Sequence, residues 1–464
     1  MLRLLLINPS NTHKGLGNIR STAWPPLNLP YLAALTPDHY QIDVIDENIE
    51  PFKFQKADIV GITAYTSTAS RGYEIAQLYR KQGIPTVMGG IHVSMMPEEA
   101  LNYCDTVVIG EAEGVWSKVL EDFEAGNLKR QYRGAWIDLA QLPIPRRDIL
   151  KNDYYIWGSI QTSRGCPMNC SFCSVSAFNG RRFRRRRLED VIVELEQIPQ
   201  KKVMITDDNL IGYSREDRNW AQVFFSRIIE KGIKKTFFVQ ASIQFGEDRE
   251  LVRIAAKGGL KILFIGIESV NPGSLKCYQK GINLQRLQQD NYHESISMIR
   301  SAGIAVIGAF VLGSDADDIA VFHSTLKFVQ SSGIDVLQIT KPTPLPGTQL
   351  WKSLLNSGRI LNQDFPKAWE DYRLTKMVYI PAKMSIEDVY GGFTYIRKIY
   401  YGFWQTIKRT MNTLLTTKDL IATVLAYKFN ASYRRAFISS VHYKQYNQPG
   451  LEAKFRPNRP TPIK

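Results

Sequence analysis

Ser163 to Ser174 reads SRGCPMNCSFCS, which places three of the chain's five cysteines, Cys166, Cys170 and Cys173, within eight positions. A structural zinc site takes four ligands, usually in two close pairs. The remaining cysteines, Cys104 and Cys277, fall in other expected elements, with no spacing that recommends them as a fourth ligand. Three thiolates suit an iron–sulfur cube that keeps one iron open to bind something else. An odd number of cysteines gathered in one place argues against a disulfide framework and for metal or redox chemistry in a reducing compartment.

The triplet follows an expected strand ending near Ser163. Further strands are expected to end near Thr206, Ser242, Glu268, Leu312 and Thr340, with amphipathic helices such as LEDVIVELEQI and NYHESISMIRSAG between them. Six βα units with no switch in order predict a partial (β/α)6 TIM barrel over residues 156–348, its site at the carboxyl ends of the strands. The cysteines lie at that mouth.

Upstream, apolar runs at Leu2 to Ile7, Ile42 to Ile45, Asp58 to Thr63, Pro85 to Met88 and Thr106 to Ile109 alternate with helical spacing such as RGYEIAQLYRKQG. This is the pattern of an α/β, doubly wound parallel sheet, a Rossmann-like domain over residues 1–135. Ligands of such sheets sit at strand carboxyl ends. Here those ends carry small and hydroxyl residues in NPSN, ITAYTSTAS, MGGIH and GEAEG. Gly89 and Gly90 serve either a tight turn or close approach to a ligand. A linker, residues 136–155, contains LAQLPIPRRDIL, where Pro143 and Pro145 break any helix.

From residue 349 to 464 a helical, aromatic and basic region is expected, with YIRKIYYGFWQTIKRTMNTLL its clearest amphipathic run. Between Gly391 and Lys464 stand 13 Lys and Arg against Asp419 and Glu452, so the last 74 residues carry +11 of the net +15. With 44% hydrophobic and 22% charged residues the chain has globular composition. The initial apolar run is too short for a signal peptide, and no stretch reaches the roughly 18 apolar residues that span a bilayer. A cytoplasmic place is expected, with membrane association through the basic C-terminal region as a further expectation.

The motif Cys-x-x-x-Cys-x-x-Cys, with Phe172 immediately before its third cysteine and six βα units around it, resembles the signature of the radical S-adenosylmethionine enzymes. The resemblance implies that Cys166, Cys170 and Cys173 hold a 4Fe-4S cluster whose open iron binds S-adenosylmethionine, the source of a 5′-deoxyadenosyl radical. ITDDN then puts Thr206, Asp207 and Asp208 where the family presents groups to the methionine ammonium; helix capping is an equal reading of Asp208. FIGIES puts Glu268 and Ser269 near the ribose or methionine, with Gln240 and Ser242 as weaker candidates. TPLPGTQLW, Thr343 to Trp351, resembles the barrel end of the subfamily that carries an N-terminal cobalamin-binding domain.

That subfamily resemblance extends over about Met1 to Lys383 and implies cobalamin as a further cofactor, with Thr63, Thr66, Ser67, Gly89 and Gly90 near its nucleotide tail or corrin edge. The Asp-x-His-x-x-Gly motif of cobalamin mutases is absent: Asn11 stands where the Asp would precede His13, which reads as a loop residue. His92 reads as lining the site, and Glu111 and Glu113 as lining or capping residues. The arginines Arg181, Arg182 and Arg184 to Arg187 can contact phosphates, steer an anionic cofactor or form a solvated face; a nucleic-acid partner is not favoured.

The activity implied is methylation of an unactivated carbon of a small-molecule substrate, lipid-like or a natural product, with an external low-potential electron donor of flavodoxin or ferredoxin type. Oxidative cyclisation or ring rearrangement without methyl transfer, and a non-catalytic cobalamin sensor, are the alternatives. A methylthiotransferase would carry further N-terminal cysteines, which Cys104 alone does not supply. Tyr395, Tyr400, Tyr401, Phe403 and Trp404, interleaved with cations, either meet an anionic membrane or pack on the barrel.

Overall fold

The structure is a computed structural model, and it describes residues 1–11, 24–439 and 455. His13 lies outside the described residues.

The first sheet comprises β1 (Leu2–Asn8), β2 (Tyr40–Asp46), β3 (Ile59–Thr63), β4 (Thr86–Gly89), β5 (Thr106–Gly110) and β6 (Gln131–Gly134) in the order β2-β1-β3-β4-β5-β6, with every pairing parallel. The five expected strands are present. The sixth, QYRG, is short and half polar, so neither period nor apolar content marked it. The order reverses between β1 and β3, the switch point at which such sheets bind ligands. Leu4, Leu6, Ile59, Val87 and Val108 are buried with Trp116 on one side of the sheet, and the Trp116 indole donates to Thr36 Oγ1 at 2.9 Å. All five residues of β3 are buried, as a central parallel strand covered on both faces requires.

The second sheet comprises β7 (Gly158–Ile160), β10 (Lys202–Ile205), β11 (Thr236–Ala241), β12 (Leu260–Glu268), β13 (Ala305–Val311) and β14 (Val336–Thr340) in sequential order from β7 to β14. Each end lies within a few residues of its expected position. β7 and β14 are edges, so the sheet stays open, as a partial barrel does. Between β7 and β10 a small antiparallel ladder joins β8 (Ser163–Arg164) to β9 (Arg184–Arg185).

The chain divides into two compact units, one of Met1–Tyr213, Arg227–Phe237 and Pro344–Arg373, the other of Ser214–Ser226, Phe238–Thr343 and Leu374 onward. In the first, Trp369 is fully buried, its indole donating to Glu99 Oε1 at 2.9 Å and its ring stacked on Phe365. In the second, the helices Ile386–Tyr400, Phe403–Thr417 and Leu420–Ser439 follow β14. Tyr401 there donates to the Leu337 carbonyl at 2.5 Å, and Asn430 donates to the Asp335 carbonyl at 2.9 Å. Tyr395, Tyr400 and Tyr401 are buried, so of the two readings of these five aromatics packing in the core holds for three; Phe403 and Trp404 are exposed. No described helix is long and apolar enough to cross a membrane.

Candidate active site

In the first unit the β8–β9 ladder, with Ser163 opposite Arg185 and Arg164 opposite Arg184, closes the neck of the loop that carries the three cysteines. Gly165 opens that loop at φ +89°, and a Cβ there would stand 2.2 Å from the Arg182 carbonyl oxygen, so only glycine fits the neck. Cys170 is buried, Cys166 and Cys173 are half-buried, and the Cys173 amide donates to the Cys170 carbonyl at 3.1 Å. The phenol of Tyr213 is pushed up by burial and then by the nearby Cys166 and Cys170, which puts its ring beside the loop. Phe172 is half-buried, and the neighbouring Ser171 carbonyl accepts from the Leu350 amide at 2.9 Å, tying the loop to the end of TPLPGTQLW.

Among the described residues no three His, Cys, Asp or Glu side chains converge as ligands of a single metal ion would. A cluster sets a different requirement, since each thiolate binds its own iron and the sulfurs stand apart. Three thiols on one short loop with a closed neck fit that donor set. Cys104 is no part of it: its buried thiol is pushed up to about 12 and lies 3.2 Å from the Ala100 carbonyl oxygen.

Two expectations at the end of β10 separate. Asp207 is buried, and its carboxylate accepts from the Thr162 amide at 2.6 Å and the Ser163 hydroxyl at 2.6 Å, so it locks the β7–β8 segment rather than facing a ligand. Asp208 is half-buried and raised to about 6, by burial first and then by the charge of Asp207. Thr206 donates its hydroxyl to the Ile160 carbonyl at 3.2 Å.

On the first sheet Thr63 and Thr66 are buried, while Ser67, Gly89 and Gly90 are half-buried at the carboxyl ends of β3 and β4. Thr63 Oγ1 accepts from Asn28 Nδ2 at 2.8 Å. Gly90, at φ +99°, lets the two ends touch: a Cβ would meet the Ala64 carbonyl oxygen at 2.8 Å. His92 departs from its expected place. It is buried, with Nε2 3.1 Å from the Tyr73 hydroxyl and 3.3 Å from Glu99 Oε1 and Nδ1 3.4 Å from Thr66 Oγ1, so it braces the turn instead of lining an open face.

Tyr65, which sequence reasoning passed over, stands between these groups. Its ring is 60% exposed, yet its phenol is raised by burial and then by the Asp208 carboxylate. Both hold if the ring stands in a cavity that protein surrounds and that opens toward Asp208. The influence of Asp208 on Tyr65 brings the end of β10 near the end of β3 within this unit.

Glu111 and Glu113, read as lining or capping residues, serve a third purpose. Arg164 pairs with Glu113, and Glu111 accepts from Arg184 Nη1 at 3.0 Å. Arg186 and Arg147 share the buried Glu194. Of the arginine run, Arg184 and Arg186 are spent inside the fold, which removes most of its apparent phosphate-binding character. Arg181 and Arg182 remain exposed at the neck.

In the second unit β12 ends in a bulge between Gly266 and Glu268, and Glu268 takes φ +69°, a region that non-glycine residues seldom enter. Asn283 Nδ2 holds the bulge by donating to the Gly266 carbonyl at 2.7 Å and the Ile267 carbonyl at 3.0 Å. The Glu268 carboxylate lies 2.9 Å from Lys280 Nζ. Neither Lys280 nor Asn283 belongs to a motif, so the sequence carried no signal for them. Ser269 is fully buried and its hydroxyl accepts from the Asn271 amide at 3.0 Å, so it forms the turn rather than facing a ligand. Gln240 and Ser242, at the end of β11, are half-buried.

The B12 binding domain family matches residues 14–120 and the Radical SAM superfamily residues 160–329. The bacteriochlorophyllide d C-8(2)-methyltransferase of Chlorobaculum tepidum is 31% identical over 455 residues, covering 89% of this chain and 96% of the relative. The hopanoid C-2 methylase of Rhodopseudomonas palustris is 27% identical, covering 75% of this chain and 68% of the relative. Among solved structures, the cobalamin-dependent S-adenosylmethionine radical enzyme OxsB with aqua-cobalamin and S-adenosylmethionine bound superposes with a TM-score of 0.70 at 15% identity, covering 95% of this chain and 72% of that one. The chain belongs to the cobalamin-dependent radical S-adenosylmethionine methyltransferases, a family that methylates unactivated carbons.

Proposed function

We propose that this protein methylates an unactivated carbon of a large, mostly apolar small molecule inside the cavity that Tyr65 and Asp208 share. The closed loop that carries the three cysteines, in a chain of this family, carries the reading. A sensor needs no opening from the end of β3 to the end of β10, whereas carbon methylation needs the methyl source and the hydrogen-abstracting group to reach the same substrate. When bound, a 4Fe-4S cluster supplies one electron and an open iron for S-adenosylmethionine, and cobalamin supplies methyl carriage.

The chain's own residues bind, orient and exclude water. Cys166, Cys170 and Cys173 are the thiolates that hold the cluster. Asp208, half-buried and charged above about pH 6, meets the methionine ammonium, a charge-assisted contact of the strong kind. Glu268, fixed by the bulge and by Lys280, presents an acceptor at the end of β12. Thr63, Ser67, Gly89 and Gly90 leave room for a large flat cofactor, while Thr66, Asp207, His92 and Ser269 position their neighbours from within the fold. The exposed Arg181 and Arg182 offer a cationic edge to an acidic flavodoxin or ferredoxin.

The apolar substrate class draws on the relatives, whose names give a bacteriochlorophyllide and a hopanoid as substrates. A peripheral contact with lipid belongs to the same reading. The test incubates the reduced holoenzyme with S-adenosylmethionine labelled in its methyl group and with the lipid-soluble and aqueous fractions of a cell extract. Label in the lipid-soluble fraction alone is expected, and label confined to the aqueous fraction overturns the substrate class.

A further inference from the structure

The helix Phe403–Thr417 is amphipathic in the reverse sense for a protein surface. Thr406, Thr410, Thr413 and Thr417 follow one face, and the last two are buried. Three of the four hydroxyls are bonded: Thr413 donates to Asp335 Oδ1 at 2.7 Å, and within the helix Thr410 donates to the Thr406 carbonyl at 2.8 Å and Thr417 to the Thr413 carbonyl at 2.7 Å. The arc beside it carries Phe403, Trp404, Ile407, Met411, Leu414 and Leu415, all exposed, with Trp404 at 77% and Leu415 at 72%. A helix that buries its threonines and shows its leucines has its apolar face turned to something outside the fold.

The helix Leu420–Ser439 packs against it and extends the patch with Leu420, Ile421, Val424 and Tyr427, all exposed. Its other face is core: Ala422, Leu425, Ala426 and Phe429 are buried. Around the patch stand Lys408, Lys418, Lys428, Arg434 and Arg435, all exposed. Asp419 is the only acid from Phe403 to Ser439, and it is turned away into an ion pair with Lys261 at 2.6 Å. The rim of the patch is therefore cationic.

We propose that the hairpin Phe403–Ser439 is a peripheral docking surface for an anionic lipid bilayer, its leucines and aromatics at the acyl boundary and its lysines and arginines at the headgroups. Charge complementarity selects this occupant: a second copy of the chain would bring the same cations against these, whereas phosphate headgroups match them. With no described helix able to cross a bilayer, the contact lies on one leaflet. The inference joins the proposed apolar substrate to the surface in which such a molecule dissolves. It rests on that reading for its purpose only, because binding is measured without turnover.

The test is co-sedimentation of the full chain with vesicles of phosphatidylcholine alone and with vesicles containing phosphatidylglycerol, alongside light scattering without lipid. Binding to the anionic vesicles is expected, at least tenfold above that to phosphatidylcholine and weakened by salt. Leu415→Glu with Ile421→Glu lowers it tenfold or more, and Lys418→Glu with Lys428→Glu removes the preference for anionic lipid. These side chains are exposed, so an unchanged circular dichroism spectrum is expected and identifies folded variants. Wild-type failure to bind anionic vesicles overturns the proposal. So does undiminished binding by the folded leucine and isoleucine variant, and so does a lipid-independent dimer that the same variant dissociates.

Discussion

Arg184 Nη1 donates to Glu111 Oε2 at 3.0 Å, joining the end of β5 in the first sheet to the β9 strand that closes the cysteine loop. Glu111 also lies within ion-pair range of Arg164, the last residue before the loop. Burial pushes the Glu111 carboxyl up, but the Arg184 hydrogen bond and the two guanidinium charges outweigh it and hold the group below the usual carboxylate range. A carboxylate with a depressed native pKa contributes stability that is present above its unfolded pKa and is lost as pH falls through the native one. Leaving one partner of a buried pair uncompensated costs about 3–5 kcal/mol. Glu111→Ala is expected to lose stability of that order in denaturant unfolding and to retain less iron after reconstitution, with Arg184→Met close behind.

Asp208 titrates in the opposite sense. Burial and Asp207 raise it to about 6, so the folded state keeps its proton while the unfolded state releases it, and stability falls as pH rises from the ordinary carboxylate range to about 6. S-Adenosylmethionine affinity should strengthen over the same approach to pH 6 as the carboxylate charges, then level off. Asp208→Asn is expected to weaken binding by about tenfold at pH 7.5, the scale of a charged hydrogen bond, and to flatten the pH profile. Equilibrium dialysis from pH 5 to 8 measures both.

Lys341, directly after β14, is buried; burial lowers its ammonium to about 7, and Nζ donates to the Thr375 carbonyl at 3.0 Å over the rings of Tyr390 and Phe393. Between about pH 7 and the ordinary lysine pKa the unfolded state binds the proton that the folded state lacks, so stability rises with pH across that window. The rings favour the charged form and soften the effect. Lys341→Met should remove the dependence, narrowing the stability difference between pH 7 and pH 9 by about 2 kcal/mol in denaturant titrations.

Gly134 in β6 lies so near the end of β5 that an added Cβ would stand 1.8 Å from the Glu111 carbonyl oxygen. Backbone cannot yield as a side-chain tip does, so Gly134→Ala should cost about 3 kcal/mol or prevent folding. Gly281 has open space around the same added atom and no positive φ. Gly281→Ala is therefore the control, stabilising by about 0.5 kcal/mol. Thermal unfolding of both variants tests the contrast.

The parts most legible in the sequence were those fixed by period and spacing. Continuous apolar runs such as AVIGAFV in β13, buried at all seven positions, located the strands, and the cysteine spacing identified the loop. What escaped was set by partners distant in sequence. His92 looked available because nothing near it in the chain names Tyr73 and Glu99 as its partners. Asp207 and Asp208 are neighbours with the same side chain, and the Thr162 amide and the Ser163 hydroxyl distinguish the lock from the half-buried group beside it. Nothing near the arginine run in the chain names Glu111 and Glu194 as the partners of Arg184 and Arg186. In the helix Phe403–Thr417 amphipathicity was visible, but its sense was not, because period alone does not say which face is packed.

Turnover is measured without oxygen on protein reconstituted with iron, sulfide and cobalamin. S-Adenosylmethionine is supplied with a low-potential reductant, and 5′-deoxyadenosine and S-adenosylhomocysteine are counted together for wild type and Cys170→Ala. Both products from the wild type are predicted, with deoxyadenosine lost in Cys170→Ala while cobalamin remains bound. Neither product from protein carrying a full cluster, or deoxyadenosine unchanged in Cys170→Ala, contradicts radical methyl transfer through a cluster held by these cysteines.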